Sequence, residues 1–218
     1  MVKAIFFDYD GVLTRDKTGS LTTNRYLSAQ TGIAFDHVCR ALRKHNRALN
    51  NGEARYAEVW PAVCAELEHD VPPDLIIKAF ESTTMNDEMM RLARGLKGRY
   101  FVGIITDNKK ERIDHLREYQ RLPEVFSPII VSAEVRCMKA NPRIFELALA
   151  CLCVDPADSI FIDNTRGNLV APAALGMKTV HFDDEKNDVA GLVRVLETAY
   201  GVSPQARPTV RRAEDLRR

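Results

Sequence analysis

Short apolar runs alternate with amphipathic segments along most of this chain. The runs predict five buried strands, at residues 2–8, 100–106, 129–131, 159–163 and 178–182. Apolar residues at helical spacing predict the intervening helices, over residues 89–96, 109–119, 141–152, a segment ending at 175, and 189–200. Because strands alternate with helices, we predict an α/β fold, a Rossmann-like parallel sheet of about five strands covered by helices on both faces.

A purely helical pattern interrupts this alternation after the first strand. Apolar residues share one helical face over residues 38–49, 59–67 and 74–80, and a weaker helix spans residues 22–30. We therefore predict a small four-helix bundle, residues 15–87, inserted as a second domain into a core made of residues 1–14 and 88–201. Residues 15–87 are called the insertion below. If the core does not depend on the insertion, replacing it with a short linker leaves a soluble protein.

The composition narrows the class of protein. The 218 residues carry a formal net charge of +1 and are 45% hydrophobic, which suits a globular protein and gives no reason to propose nucleic acid as a partner. Five cysteines without paired spacing argue against a disulfide framework or a zinc site. Without an apolar segment of signal-peptide or membrane-span length, we expect a cytoplasmic monomer or homodimer that binds no membrane. Residues 202–218, rich in proline and arginine, predict a mobile basic tail.

Polar residues follow three of the predicted strands at the point where each strand ends. Asp8 and Asp10 follow the first strand, and Gly11 lets the chain turn sharply there. The rest of this set follows the second and fourth strands or precedes the helix that begins at residue 141: Thr106, Asp107, Asn108, Lys139, Asp163 and Asn164. Because the carboxyl ends of parallel strands meet at one edge of a sheet, we expect these side chains to lie close together.

Three clustered carboxylates repel one another and any anionic substrate, unless a hard cation lies between them. Oxygen ligands favour Mg²⁺, with Asp8 and Asp163 as direct ligands and Asp10 contributing its main-chain carbonyl. Lys139 and Thr106 would then hold a phosphoryl group. Taken singly, each residue has a structural alternative: Lys139 as a solvated lysine, Thr106 bonded to backbone, or Asp163 capping a helix. Taken together, they favour phosphate chemistry.

Four segments in register, FFDYDGVLT, IITDNKKERID, KANPRIFELAL and FIDNTRGN, resemble the motifs of the haloacid-dehalogenase-like hydrolase superfamily. The resemblance covers residues 1 to about 200, and the insertion resembles the small helical cap of a phosphatase-type subgroup. It implies Asp8 as the nucleophile and Asp10 as the general acid and base. It further implies Thr106 and Lys139 as phosphate and charge anchors and Asp163 as a metal ligand.

The chain departs from the motifs at a few positions. Asn164 stands where a second acid is common, and we expect it to hold a metal-bound water. Ala140 replaces a frequent proline, and Asp107 is an added acid that would contact substrate or cap the next helix. Further expected phosphate or substrate contacts are Gly11, Asn108, Arg15 and Arg55, with Arg25, His45, Arg47 and Asn51 as additional polar residues of the insertion.

These residues predict Mg²⁺-dependent hydrolysis of a small phosphate monoester through an aspartyl-phosphate on Asp8. Three alternatives stay open. A dehalogenase needs no proton donor for its halide and resembles the family without the second aspartate, so Asp10 argues against it. A phosphotransferase or sugar phosphate mutase would need a cap signature that is not evident after Thr14. A binding module without catalysis is conceivable because of Asn164, although the intact acids and Lys139 weigh against it.

Overall fold

The computed structural model describes residues 1–204 and contains one parallel sheet. Its strands are β1 (Ala4–Phe7), β2 (Phe101–Thr106), β3 (Ile129–Val131), β4 (Ser159–Asp163) and β5 (Lys178–His181), in the order β3-β2-β1-β4-β5. All four pairings are parallel. The first strand lies at the centre of the sheet, so the polar residues that follow it emerge in the middle of the carboxyl-end edge.

Side chains alternate between the two faces of the sheet. In β1, Ile5 and Phe7 join the hydrophobic cluster on one face, whereas Ala4 and Phe6 join a second cluster on the other face. Helices cover both clusters, which is why the central strand is apolar throughout rather than alternately polar. The predicted fold class, a five-stranded parallel sheet covered on both faces, is confirmed.

Eleven α-helices connect or cover these strands within residues 1–204. Five lie in the insertion: α1 (Gly19–Thr31), α2 (Phe35–Arg43), α3 (Asn46–Asn50), α4 (Tyr56–Leu67) and α5 (Asp74–Glu81). The others are α6 (Asp87–Leu96), α7 (Lys110–Tyr119), α8 (Ser132–Val135), α9 (Arg143–Ala150), α10 (Val170–Ala174) and α11 (Val189–Tyr200). No helix in this part of the chain is long and apolar enough to cross a membrane.

The structure corrects three details of the sequence prediction. The insertion has five helices rather than four, because a turn at His45 divides the single helix expected over residues 38–49 and redirects α3. Helix α9 begins at Arg143, two residues later than expected, and the Asn141 side chain accepts a hydrogen bond from the Arg143 backbone N–H. Val202, expected in the tail, is fully buried in the core, while residues 205–218 of that prediction lie outside the described residues.

The insertion and the sheet share one hydrophobic cluster. Leu27, Trp60 and Phe80 of the insertion belong to the same contiguous set of buried side chains as Ile5 and Phe7 of β1. Helix α5 packs against α7 of the core. Each large apolar side chain that loses such burial costs roughly 1.5–3 kcal/mol. We therefore expect folding of the core to depend on the insertion.

We expect that replacing residues 15–82 with a Gly-Ser linker abolishes soluble folded protein. The lost burial exceeds the net stability of about 5–15 kcal/mol that a typical domain has. The measurement is the soluble fraction together with a thermal melt followed by circular dichroism. As a control, the same linker inserted after the exposed Asp70 lengthens the chain but keeps every helix, and we expect it to fold. A soluble excised core with a cooperative melt would show that the sheet folds alone.

Candidate active site

A polar cleft of about 340 Å³ lies between the carboxyl-end edge of the sheet and the insertion. From the core, its lining includes Asp8, Asp10, Thr106, Asp107, Asn108 and Lys139. From the insertion, it includes Lys17, Ser20, Asn46 and Asn50. The structure thus brings together most of the residues that the strand-end pattern predicted. The volume of the cleft is within the range of roughly 300–1,000 Å³ usual for small-molecule sites.

Asp8 has one carboxylate oxygen fixed and one free. Its Oδ1 atom accepts a hydrogen bond from the Tyr9 backbone N–H at 2.7 Å and lies 2.8 Å from Lys139 Nζ. Its Oδ2 atom has no hydrogen-bond partner among residues 1–204, and the side chain borders the cleft. Burial raises the pKa of Asp8, and repulsion from Asp163 and Asp10 adds to the rise, while Lys139 opposes it. A further positive charge in the cleft would therefore favour the ionised, nucleophilic form.

Lys139 bridges two acids in the interior. Its Nζ atom lies 2.7 Å from Asp163 Oδ2 as well as beside Asp8, and the lysine is only 1% exposed. Burial alone lowers the pKa of Lys139, but the negative charges of Asp8, Asp163 and Asp107 together raise it above its ordinary value. Lys139 is therefore a fixed positive charge at the floor of the cleft.

Asp163 occupies a different place from the one expected of a metal ligand. It is fully buried and does not border the cleft. Both of its oxygens are already used, because they accept hydrogen bonds from Lys139, from the Thr165 backbone N–H and from the Asn168 amide. In this arrangement Asp163 holds Lys139 in position, and the neighbouring Asn164 is the side chain that reaches the cleft.

Asn164 lies beside the turn that follows β1. Gly11 has φ +77°, and a Cβ there would come within 2.2 Å of Asn164 Nδ2, so both conformation and space require glycine. The Gly11 N–H donates to Thr14 Oγ1 rather than pointing into the cleft, which Gly11 does not border. Asn164 Nδ2 donates to Asp184 Oδ1 at 3.3 Å, which leaves the amide oxygen of Asn164 for the cleft.

Asp10 is held by an arginine that sequence reasoning missed. The Arg112 guanidinium donates from Nη1 to Asp10 Oδ2 at 2.8 Å and from Nη2 to Asp10 Oδ1 at 2.9 Å. Arg112 is fully buried, and Asn108 Nδ2 also donates to Asp10 Oδ2, at 2.7 Å. Position 112 precedes Leu116 by one helical turn on the apolar face of α7, and an arginine on such a face signals a buried acidic partner.

Asn108, Thr106 and Asp107 occupy the end of β2. Asn108 Nδ2 lies 3.3 Å from Thr106 Oγ1, and its backbone N–H donates to Ser132 Oγ. Asp107 Oδ1 accepts from the Lys139 backbone N–H at 2.8 Å, and burial raises the pKa of Asp107. Ser132, a second residue that the motifs did not indicate, donates to the Asn50 carbonyl at 2.6 Å. These bonds join the strand end, Lys139 and the insertion.

The arginines expected to contact substrate lie elsewhere. Arg15 and Arg55 are exposed and do not border the cleft, and Arg55 precedes α4, where its backbone N–H bonds Glu58. Arg25 is paired with Asp16 at 2.7 Å. His45, Arg47 and Asn51 are likewise absent from the lining. The turn that divides α2 from α3 instead places Asn46 and Asn50 at the cleft. The sequence predicted one unbroken helix there, so these two asparagines were not expected at the site.

The sheet order, the helical insertion after β1 and the polar strand-end cleft together define an α/β protein with a candidate active site at the carboxyl-end edge of its sheet. The chain belongs to the haloacid dehalogenase-like hydrolases, because the model of that family matches residues 2–176. The resemblance of the four sequence motifs to this superfamily is therefore confirmed.

Individual relatives are distant. Bifunctional epoxide hydrolase 2 of Rattus norvegicus is 25% identical over 136 residues, which are 60% of this chain but 24% of that protein, so this chain spans about a quarter of its length. Pyrophosphatase PpaX of Bacillus velezensis is 23% identical over 189 residues, 82% of each chain. A HAD family enzyme of Bacteroides thetaiotaomicron, solved in complex with magnesium and inorganic phosphate, has a TM-score of 0.68 at 18% identity, covering 88% of this chain and 99% of that one.

Proposed function

We propose that this hydrolase is a Mg²⁺-dependent phosphatase that cleaves small phosphate monoesters through an aspartyl-phosphate on Asp8. The observation that carries the proposal is the asymmetry of the Asp8 carboxylate. One oxygen is anchored by Tyr9 and Lys139, and the other faces a polar cleft without a partner among residues 1–204. The magnesium and phosphate bound to the Bacteroides thetaiotaomicron enzyme and the name of the Bacillus velezensis relative support it by analogy.

The donors at the cleft suit Mg²⁺. The described residues contain no cluster of three or more acidic, histidine or cysteine side chains arranged for a metal. Mg²⁺ usually binds through one or two protein carboxylates, waters and substrate phosphate, so such a cluster is not needed. The Asp8 carboxylate, through the oxygen that does not attack phosphorus, the Asn164 amide oxygen and the Asp10 main-chain carbonyl would hold the ion. When bound, it would supply positive charge that ionises Asp8 and offsets the charge of the phosphate.

The protein side chains have defined tasks in the first chemical step. Asp8 Oδ2 attacks phosphorus, a bond forms between them, and the bond from phosphorus to the leaving oxygen breaks. Lys139 and the Thr106 hydroxyl offset the charge on the remaining phosphate oxygens. Asp10, carrying a proton, gives it to the leaving oxygen, so that the product departs as an alcohol.

The second step returns the enzyme to its starting state. A water molecule attacks phosphorus of the aspartyl-phosphate while Asp10 accepts its proton, and the bond from phosphorus to Asp8 breaks. Phosphate leaves, Asp8 is a carboxylate again and Asp10 is ready to donate. Arg112 and Asn108 position Asp10 for both transfers by fixing its carboxylate plane.

The anchoring of Asp10 also weighs on the alternatives within the family. Displacing a halide from carbon needs no proton donor, so a dehalogenase would have no use for a carboxylate held by Arg112 and Asn108 beside the nucleophile. A phosphotransferase would use the same groups with an acceptor alcohol in place of water. A binding module would not require the free Asp8 oxygen. We therefore propose hydrolysis of a phosphate ester ahead of the dehalogenase, phosphotransferase and binding-module alternatives.

We expect purified protein to hydrolyse p-nitrophenyl phosphate and a subset of sugar phosphates, nucleotides, phosphoamino acids and pyrophosphate in the presence of Mg²⁺. Chelation with EDTA should remove activity, and added Mg²⁺ should restore it. Phosphate release is the measurement, and halide release from 2-chloropropionate tests the dehalogenase alternative in parallel. Halide release, or no turnover of any phosphate ester with Mg²⁺ present, would overturn the proposal.

We make four further proposals about the protein. We propose a small phosphorylated metabolite as the substrate, no nucleic acid or membrane partner, a monomeric or homodimeric state, and a cytoplasmic location. The mixed charge of the chain and the small polar cleft support the first two.

A further inference from the structure

A second buried lysine borders the cleft and has no role in the chemistry described above. Lys109 directly precedes α7 and is 5% exposed. Its Nζ atom donates to Ser20 Oγ of the insertion at 3.2 Å. No carboxylate oxygen lies within 4.0 Å of this ammonium in residues 1–204. Its charge is therefore buried against a neutral hydroxyl, which is costly unless an anion joins it.

Lys109 and Lys139 occupy different electrostatic surroundings. The negative charges of Asp8, Asp163 and Asp107 surround Lys139. The charged groups that act on Lys109 are Arg112 and Asp10, and burial together with repulsion from Arg112 lowers the pKa of Lys109 to about 8. The charged groups around Lys109 thus differ from those around Lys139.

The local charge around Lys109 is positive. Lys109 and Arg112 face a single carboxylate, Asp10, and both oxygens of that carboxylate are already bonded to Arg112. The cleft therefore has unused capacity for negative charge on the Lys109 side.

The insertion completes this part of the cleft with neutral and basic groups. Ser20, which accepts from Lys109, donates to Asn46 Oδ1 at 3.4 Å. Lys17 adds another ammonium to the lining. The insertion contributes no acidic side chain to the lining. The insertion wall, together with Lys109, is thus suited to a leaving group that is itself anionic.

We infer that Lys109, held by Ser20, binds a second anionic group of the substrate, so that this enzyme prefers phosphate esters whose leaving group carries a carboxylate or another phosphate. The inference rests on the proposed function and narrows its substrate class. Neutral sugar or alkyl phosphates would leave Lys109 without an anion. Lys109 is a specificity-determining residue in this scheme and takes no part in proton transfer.

The test measures binding, so that it does not depend on turnover. The Asp8→Asn protein is titrated calorimetrically, with Mg²⁺ present, against 2-phosphoglycolate and against 2-hydroxyethyl phosphate, which has a hydroxyl in place of the carboxylate. We expect 2-phosphoglycolate to bind about tenfold more tightly, because a desolvated charge-assisted hydrogen bond is formed only with the carboxylate. Adding Lys109→Met should reduce the ratio of the two Kd values to near one, while Kd for 2-hydroxyethyl phosphate changes less than about threefold. Lys109→Arg should keep part of the preference.

Two results would overturn the inference. One is the absence of a preference for 2-phosphoglycolate in the Asp8→Asn protein, and the other is an equal loss of affinity for both compounds on adding Lys109→Met. If Lys109→Met does not fold, Ser20→Ala, which removes the hydroxyl that holds the ammonium, must itself reduce the Kd ratio. Failure of the proposed function would show separately, as no phosphate release by the unmodified protein from any ester in the hydrolysis panel.

Discussion

Asp8→Asn is expected to lower phosphate-ester turnover by at least about three orders of magnitude, as is usual when a covalent nucleophile is removed. The amide has nearly the same shape but is a poor nucleophile. Its oxygen can still accept the hydrogen bond from the Tyr9 N–H, and Lys139 keeps Asp163 as an anion partner. The fold should therefore survive, and kcat should fall far more than the affinity for substrate.

A matched substitution separates chemistry from charge in this test. Asp107 is another acid that lines the cleft, and Asp107→Asn leaves an oxygen to accept from the Lys139 N–H. We expect its turnover to stay within about tenfold of the unmodified protein. Rapid quench with labelled substrate should trap a phosphorylated protein in the unmodified enzyme and none in Asp8→Asn. Comparable turnover in a contamination-free Asp8→Asn preparation, or a labelled Asp8→Asn protein, would rule out Asp8 as the nucleophile.

Asp10→Asn should have an effect that depends on the leaving group. An alkyl phosphate releases an alkoxide that needs a proton, so its first step should slow by about 10²–10⁴-fold. The phenolate of p-nitrophenyl phosphate leaves unaided and should lose much less in that step. Because the second step also lacks its base, the activated substrate should give a burst of nitrophenol, then slow turnover, with a phosphoryl group retained on Asp8.

The structure adds a cost in stability to this variant. Asp10→Asn leaves the buried Arg112 guanidinium without its anion, a loss of about 3–5 kcal/mol for a broken buried pair. The burst must therefore be measured well below the melting temperature. Thr83→Val is the control, because it removes a 3.1 Å hydrogen bond to Arg112 Nη2 without touching Asp10. It should lower the melting temperature and leave the ratio of the two substrates unchanged.

The Asp10 interpretation has a clear contrary outcome. Equal losses on the alkyl and nitrophenyl esters, with no phosphorylated protein by intact mass, would make Asp10 a structural residue. The same losses in Thr83→Val would point to Arg112 and its surroundings instead. In either case the proton would have to come from another group.

The strands were predictable because their positions along the chain depend on local pattern. Uniform apolar runs at β3 and β4 marked strands whose observed bounds agree with the sequence prediction. Strand β1 was predicted over residues 2–8 and is observed over Ala4–Phe7, so its last residue lies one position before the predicted end at Asp8. Because side chains alternate along a strand, Asp163 and Phe161 lie on the same face of β4. Lys139 lies on that face too, with its Nζ atom 5.7 Å from the centre of the Phe161 ring.

The partners of Asp10 and Lys109 could not be predicted in the same way. Arg112 is 102 positions from Asp10, and Ser20 is 89 positions from Lys109. Such pairs depend on how the turn after β1 and the start of α1 come to lie beside the start of α7, which no short-range pattern encodes. The break at His45 was not predicted either, because the helical spacing of apolar residues continues past His45 to the buried Leu49. Tertiary packing, rather than helical periodicity, ends α2 there.

Arg112 connects proton transfer to the wall that admits the leaving group. Its guanidinium lies between Asp10 and Gly19, the first residue of α1, where a Cβ would come within 2.2 Å of Nη1. A leaving group too bulky for the cleft would have to push α1 outward, and the guanidinium would lose its support on that side. We therefore expect poorly fitting esters to be rejected by slow chemistry rather than weak affinity, so that competitive inhibitors need not resemble good substrates.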